Sequence, residues 1–155
     1  MTDRAVSPVV AVVCLLAVTV AAAATVGVFA QGLADSPTAA PAPTAALSLA
    51  VDAEDDELAL THRSGDPIDP DDLRLRVAVD GDPLARQPPV PFFSARGFES
   101  GPTGAFNSAT GGDWRAGETA RLRLAGTNTA IEEGSHVTVR VWVDGRPVAR
   151  LGVRA

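Results

Sequence analysis

Two rules govern where apolar residues fall in this chain, and the change from one to the other divides it. From Val6 to Ala30 the sequence VSPVVAVVCLLAVTVAAAATVGVFA carries no charge, and its polar side chains are Ser7, Thr19 and Thr25. Read as one helix at about 1.5 Å per residue, the run spans about 38 Å, enough to cross a hydrocarbon core of about 30 Å. Pro8 falls in the first turn, where its missing N–H costs nothing. Ala17, Ala21 and Thr25 recur at spacing four, as do Ala23 and Gly27, and small residues so spaced let another helix approach closely. Residues 34–46, ADSPTAAPAPTAA, then break every pattern. Pro37, Pro41 and Pro43 hold the backbone extended, while Ala, Ser and Thr offer little to bury, so the stretch reads as a spacer, with Ser36, Thr38 and Thr44 as hydroxyls open to O-glycosylation.

Beyond residue 46 the period becomes two, the mark of half-buried strands. Leu47, Leu49 and Val51 alternate with small or polar residues, and Leu58 and Leu60 follow an acidic turn over Asp52 to Glu57. Leu73, Leu75, Val77 and Val79 alternate with Arg74, Arg76 and Ala78. Leu122 and Leu124 form a further strand, and Val137, Val139, Val141 and Val143 alternate with Thr138, Arg140 and Trp142. No stretch here sustains a helical period over three turns. The expected architecture is a hydrophobic α-helix followed by an all-β antiparallel sandwich-like domain. Its segments are 1–5 as a leader, 6–30 as the helix, 31–46 as a Pro/Ala/Thr linker and 47–155 as the β-domain.

Two hairpins are specified with unusual clarity. Asp80-Gly81 and Asp144-Gly145 each stand between valine strands and suit the two-residue type I′ turn, which needs positive φ at both positions. Their surroundings nearly repeat: RVAVDGDPLAR over 76–86 against RVWVDGRPVAR over 140–150, identical at eight of eleven positions. Pro83 and Pro147 remove a ladder donor, which predicts that both return strands lie at sheet edges. Simple pairing sets Val148 opposite Val141 and throws Leu151 and Val153 onto the other face. Either that face is also covered, or a bulge near Arg150 or Gly152 restores the register. Residues 87–118 are the least regular stretch, and a loop of that length is disordered or functional. It holds Phe92, Phe93, Phe98, Phe106 and Trp114, which either cap the sandwich as core or form an exposed adhesive surface.

Composition narrows the partners. The 155 residues carry 19 acidic and 13 basic side chains, a net charge of -6, and every basic residue is Arg. Acid-rich and lysine-free, the chain has the composition of a protein from a salt-loving organism with a GC-rich genome. Without a basic run it is a poor nucleic-acid binder, because phosphate contacts need clustered Lys or Arg. Cys14 lies inside the apolar run as a small packing residue, and the β-domain has no cysteine from which to build a disulfide.

The front edge of the apolar run suggests a family. Asp3-Arg4-Ala5-Val6-Ser7-Pro8-Val9-Val10, leading directly into an unbroken helix, resembles the N-terminus of archaeal type IV pilins, particularly those of haloarchaea. The resemblance implies a prepilin peptidase that cuts between Ala5 and Val6, with Arg4 just upstream, and so keeps the helix in the mature subunit. It also implies the membrane and other pilin subunits as partners of that helix, and an extracellular β-domain in an assembled surface filament involved in adhesion. Bacterial pilins carry Glu at the fifth mature position, which here is Val10. A second segment, Leu60-Thr61-His62-Arg63-Ser64-Gly65-Asp66-Pro67-Ile68 followed by Asp72-Leu73, is similar to a recurrent strand and Gly-Asp turn of the same family.

Chemistry-bearing patterns point nowhere else. No G-x-S-x-G, H-E-x-x-H, C-x-x-C or phosphate-loop glycine pattern occurs, so neither a catalytic residue nor a cofactor is expected. His62 and His136 are the two histidines, and His62 reads as a strand-end hydrogen-bonding residue rather than a metal ligand. Asp66, Asp69, Asp71 and Asp72 do not fit the D-x-[DN]-x-[DN]-G loop that holds Ca²⁺, and read as a solvated acidic loop. The functional expectation is a structural pilus subunit. Two alternatives share the same residues: a membrane-anchored β-sandwich that binds without polymerising, and a secreted domain released by a cut near Gln31.

Overall fold

The computed structural model describes residues 10–20 and 43–155. The chain divides into two units, Met1–Ala40 and Pro41–Ala155. In the first, residues 10–20 are α-helical, and the remainder of the helix expected over 6–30 lies outside the described residues.

The second unit is two antiparallel sheets. β1 (Ala45–Asp52), β2 (Glu57–Gly65) and β5 (Thr119–Arg123) form one, in the order β1-β2-β5. β3 (Leu73–Val79), β4 (Asp82–Pro83), β6 (His136–Val143) and β7 (Arg146–Arg154) form the other, in the order β4-β3-β6-β7. β1 starts two residues before the alternation predicts, because Ala45 and Ala46 pair with Gly65 and Ser64. β2 likewise continues past His62 to Gly65, with a register shift that leaves Arg63 without a partner across the pair. Gly65 has φ +114, and a Cβ there would collide with the Thr44 carbonyl oxygen, so the sharp exit from β2 belongs to glycine.

The alternation puts one apolar set inside each sheet. Leu58, Leu60 and Leu122 face Leu75, Val77, Val139 and Val141 across a core in which all are 3% exposed or less. Each such side chain contributes about 1.5–3 kcal/mol through burial. Asp80 and Asp144 have φ of 52 and 50, and the glycines after them are also positive, so both hairpins turn as the sequence predicts. Pro83 and Pro147 sit on β4 and β7, the two edges of their sheet.

The bulge in β7 lies elsewhere than expected. Val141 pairs with Ala149 and Trp142 with Pro147, so the extra residue is Val148, next to the turn, not Arg150 or Gly152. Inserting one residue there returns Leu151 and Val153 to the valine side, opposite Val139 and Val137. The cause is local: Pro147 has no N–H to give the ladder, and the irregularity falls immediately after it.

The long segment between β4 and β5 is a cover, not a disordered loop. Ile68 and Trp114 exchange backbone bonds of 3.0 and 2.7 Å, and Phe92 N–H donates to Phe106 O at 2.8 Å. Thr103 pairs with Arg121 and Phe98 with Leu124, which ties the cover to β5. Backbone groups paired in this way can be buried without strands of any length. Phe92, Phe98, Phe106 and Trp114 are all buried, and Phe93 alone of this group is exposed, at 59%. The aromatic residues are therefore core, with one exception.

Candidate functional site

Three regions carry the chemistry that the sequence singles out, and the helix is the first. Val10, Val12, Val13, Leu15, Leu16, Val18 and Val20 are all at least half exposed, and Cys14 is exposed beside them. The one polar side chain in this stretch is turned inward on its own backbone. Thr19 Oγ1 donates to Leu16 O at 2.8 Å and lies 3.1 Å from Leu15 O. Its hydroxyl is thus satisfied without solvent, and the described helix presents an apolar surface on every side. Among the described residues no helix is long and apolar enough to cross a membrane. Arg4, Ala5 and Val6, the predicted processing residues, lie outside the described residues.

The second region is His62 with the Gly-Asp turn. His62 is fully buried; its Nε2 lies 3.0 Å from Asp66 O, and its ring meets Trp114 edge-on at 5.6 Å. A carbonyl only accepts, so Nε2 is the donor in this bond. Nδ1 has no hydrogen-bond partner among the described residues. The bond to Asp66 O draws the turn back over the end of β2, which is the structural part the sequence suggests. Asp66 Oδ2 accepts from Thr44 N–H at 2.9 Å and Asp69 Oδ1 from Asp71 N–H at 3.0 Å. The carboxylates are thus aimed at separate backbone amides, and among the described residues no group of His, Cys, Asp and Glu is arranged to hold a metal.

The third region is one that sequence reasoning does not find. The outer faces of the two sheets treat arginine in opposite ways. On β5, Arg121 pairs with Glu57 at 3.3 Å, and Arg123 pairs with Glu57 at 3.1 Å and Asp55 at 3.2 Å. The Glu57 hydrogen bond first, then the Asp55 charge, hold the Arg123 guanidinium above its ordinary range. On the other sheet, Arg76 stands opposite Arg140, and Arg140 opposite Arg150. Arg74 stands beside them, opposite Trp142. Arg74, Arg76, Arg140 and Arg150 are exposed and make no ion pair among the described residues. The near-repeat of 76–86 and 140–150 carries three of these four arginines, but only the register shows that they align.

The comparisons bear on the first region. Searching curated proteins finds no match to the chain. Residues 4–47 match the family described as archaeal type IV pilin, N-terminal, an interval that takes in the predicted processing residues, the apolar helix, the spacer and the first residues of β1. The similarity noted over residues 60–73 falls outside that interval. Residues 4–47 are therefore similar to the N-terminal domain of archaeal type IV pilins.

Proposed function

We propose that this chain is a structural subunit of an archaeal type IV pilus-like surface filament, made as a membrane-held precursor and cut by a prepilin peptidase between Ala5 and Val6. The observation that carries the reading is the family match over residues 4–47, which starts at Arg4 and so includes the front edge of the helix. The apolar surface of residues 10–20 supports it. Such a helix is content in lipid before assembly, and afterwards among copies of itself, where side-chain packing replaces acyl chains. The β-domain then faces outward from a cell of salt-loving habit, and adhesion falls to that domain. No step of this role asks for a catalytic group or a cofactor.

Intact mass and N-terminal sequencing of the protein recovered from cell envelopes test the proposal. A mature chain beginning at Val6, recovered in sheared surface filaments, is the expected result. A chain beginning at Met1 or Thr2 and absent from filaments rejects it in favour of a membrane-anchored module. A chain beginning near Gln31 rejects it in favour of a secreted domain.

A further inference from the structure

The arginine row on β3, β6 and β7 is costly as it stands. Like charges directly opposite one another in a sheet are destabilising, and no strand position on this outer face supplies a carboxylate. The same chain pairs its arginines on the other sheet, so acidic partners were available to the fold. At a strand separation of about 4.8 Å, Arg76, Arg140 and Arg150 make a row about 10 Å long, running across the strands. An open cleft of about 300 Å³ lies along it, lined by the three arginines and Trp142 together with residues that include Ala78 and Thr138. Asp71 is a nearby carboxylate, in the adjoining cleft beside Arg74 and Arg76, and it pairs with neither.

We propose that this face binds an extended anionic polysaccharide, whose acidic groups lie along Arg76, Arg140 and Arg150 while a sugar ring packs against Trp142. The proposal rests on the reading of the β-domain as the outward part of a surface filament, and names what that domain would adhere to. Guanidinium groups bind planar oxyanions through paired N–H donors, which suits carboxylate and sulfate groups repeated along a polymer. An indole offers a broad apolar body to the C–H face of a sugar. A nucleic acid fits less well. Its bases call for several stacking aromatics, where Trp142 stands alone on this face.

The test uses the full chain in detergent, with immobilised polygalacturonate as the probe and neutral dextran and single-stranded oligothymidylate at the same ionic strength as comparisons. The expected result is salt-sensitive binding to polygalacturonate, none to dextran and weaker binding to oligothymidylate. Arg76→Ser with Arg140→Ser should weaken polygalacturonate binding at least about tenfold, and Trp142→Ala about fivefold. Arg63→Ser with Arg96→Ser, an equal charge change at two exposed positions off this face, should leave it unchanged. If the double serine variant fails to fold, Arg76→Lys with Arg140→Lys keeps the charge and loses the forked donors, with a several-fold loss expected. Absence of binding by the natural chain, tighter binding of oligothymidylate, or arginine variants that bind as well as the natural chain would each overturn the inference. Sheared filaments separate the two readings. Filaments without polysaccharide binding reject this inference and leave the subunit role standing, and binding without filaments does the reverse.

Discussion

The side-chain amide of Gln87 closes on both backbone polar groups of Val77. Its Oε1 accepts from Val77 N–H at 2.7 Å, and its Nε2 donates to Val77 O at 2.9 Å. One side chain thus makes the two bonds that a neighbouring strand residue would make. It does so where β4 has run out, since pairing with β3 ends at Pro83 and the last backbone bond from that side is Leu84 N–H to Val77 O. The second hairpin has no such stop, and β7 runs on to Arg154. Two nearly identical turns therefore lead to different sheet edges, and Gln87 closes the shorter one against further strand addition.

Replacing Gln87 with Ala should lower stability by about 1–3 kcal/mol, because it leaves the N–H of buried Val77 unpaired, while Val77 O keeps only its bond from Leu84 N–H. Gln87→Met, which keeps the volume, should cost nearly as much. Urea unfolding followed by circular dichroism measures both. A methionine variant as stable as the natural chain would show that packing, not the paired amide bonds, is what Gln87 supplies.

Much of the β-domain is legible in the sequence because its strands obey a strict alternation. The valines of β6 and the leucines and valines of β3 can face only one way, and Asp-Gly fixes the turns. What the sequence hides is whatever depends on lateral register. The Val148 bulge needs knowledge of where pairing resumes after Pro147. The arginine row needs three strands laid side by side before Arg76, Arg140 and Arg150 meet. The cover over 85–118 is hidden for a different reason, since its order comes from single backbone bridges such as Ile68 with Trp114, which leave no periodic trace. At the helix the sequence and the family match carry the reading, and Arg4, Ala5 and Val6 are where the proposal must be tested chemically.

The two tryptophans separate core from surface. Trp114 is 1% exposed, packs edge-on against Phe106 and His62, and donates its indole N–H to Glu118 O at 3.1 Å. Trp114→Ala should cost about 3–5 kcal/mol, as expected for truncating a large buried aromatic. Trp142 is half-buried on the outer face, and Trp142→Ala should cost about 1 kcal/mol or less. In a Trp142→Phe variant the remaining fluorescence should be blue-shifted and resist acrylamide quenching. Equal losses of stability from the two alanine variants would contradict this division.

Within the helix, Thr19 and Leu16 should respond in opposite ways to polarity. The Thr19 hydroxyl is already bonded to the backbone, so Thr19→Val removes nothing that a neighbour or a lipid needs. Leu16→Asp places an unpaired carboxylate on an apolar surface, where its desolvation is unfavourable by about 2.5–3.5 kcal/mol on insertion scales. Recovery in membranes and in sheared filaments should be unchanged for Thr19→Val and lost for Leu16→Asp. Filament incorporation of the aspartate variant at natural levels would count against a buried helix.

The bulge gives a prediction about chain length. Deleting Val148 removes the extra residue and leaves Pro147 followed directly by Ala149, so the in-and-out order of the rest of β7 is preserved. The variant should fold, with a loss of about 1–2 kcal/mol from the missing side chain and the changed twist. Deleting Gly152 is different, because it turns Val153 outward and breaks its pairing with Val137. Thermal melts should show a cooperative transition for the first deletion and a far larger loss for the second. The reverse order would mean that the irregularity near Trp142 holds the register in some other way.

Asp80 makes the hairpin between β3 and β4 sensitive to acid. Its Oδ1 accepts from His136 N–H at 2.8 Å. That backbone bond first, and the Ser135 hydroxyl second, hold its carboxyl below the ordinary value of 3.8. The folded state therefore binds this proton less readily than the unfolded chain does. The stabilisation is fully present above 3.8 and is lost as pH falls through the depressed folded value. Asn at this position tolerates the positive φ and offers an oxygen to the same N–H, but it does not titrate. Asp80→Asn should thus fold at neutral pH and lose less stability than the natural chain between about pH 5 and about pH 2. Urea midpoints across that range measure the difference. Parallel curves for the two proteins would mean that the depressed carboxyl does not contribute to acid unfolding.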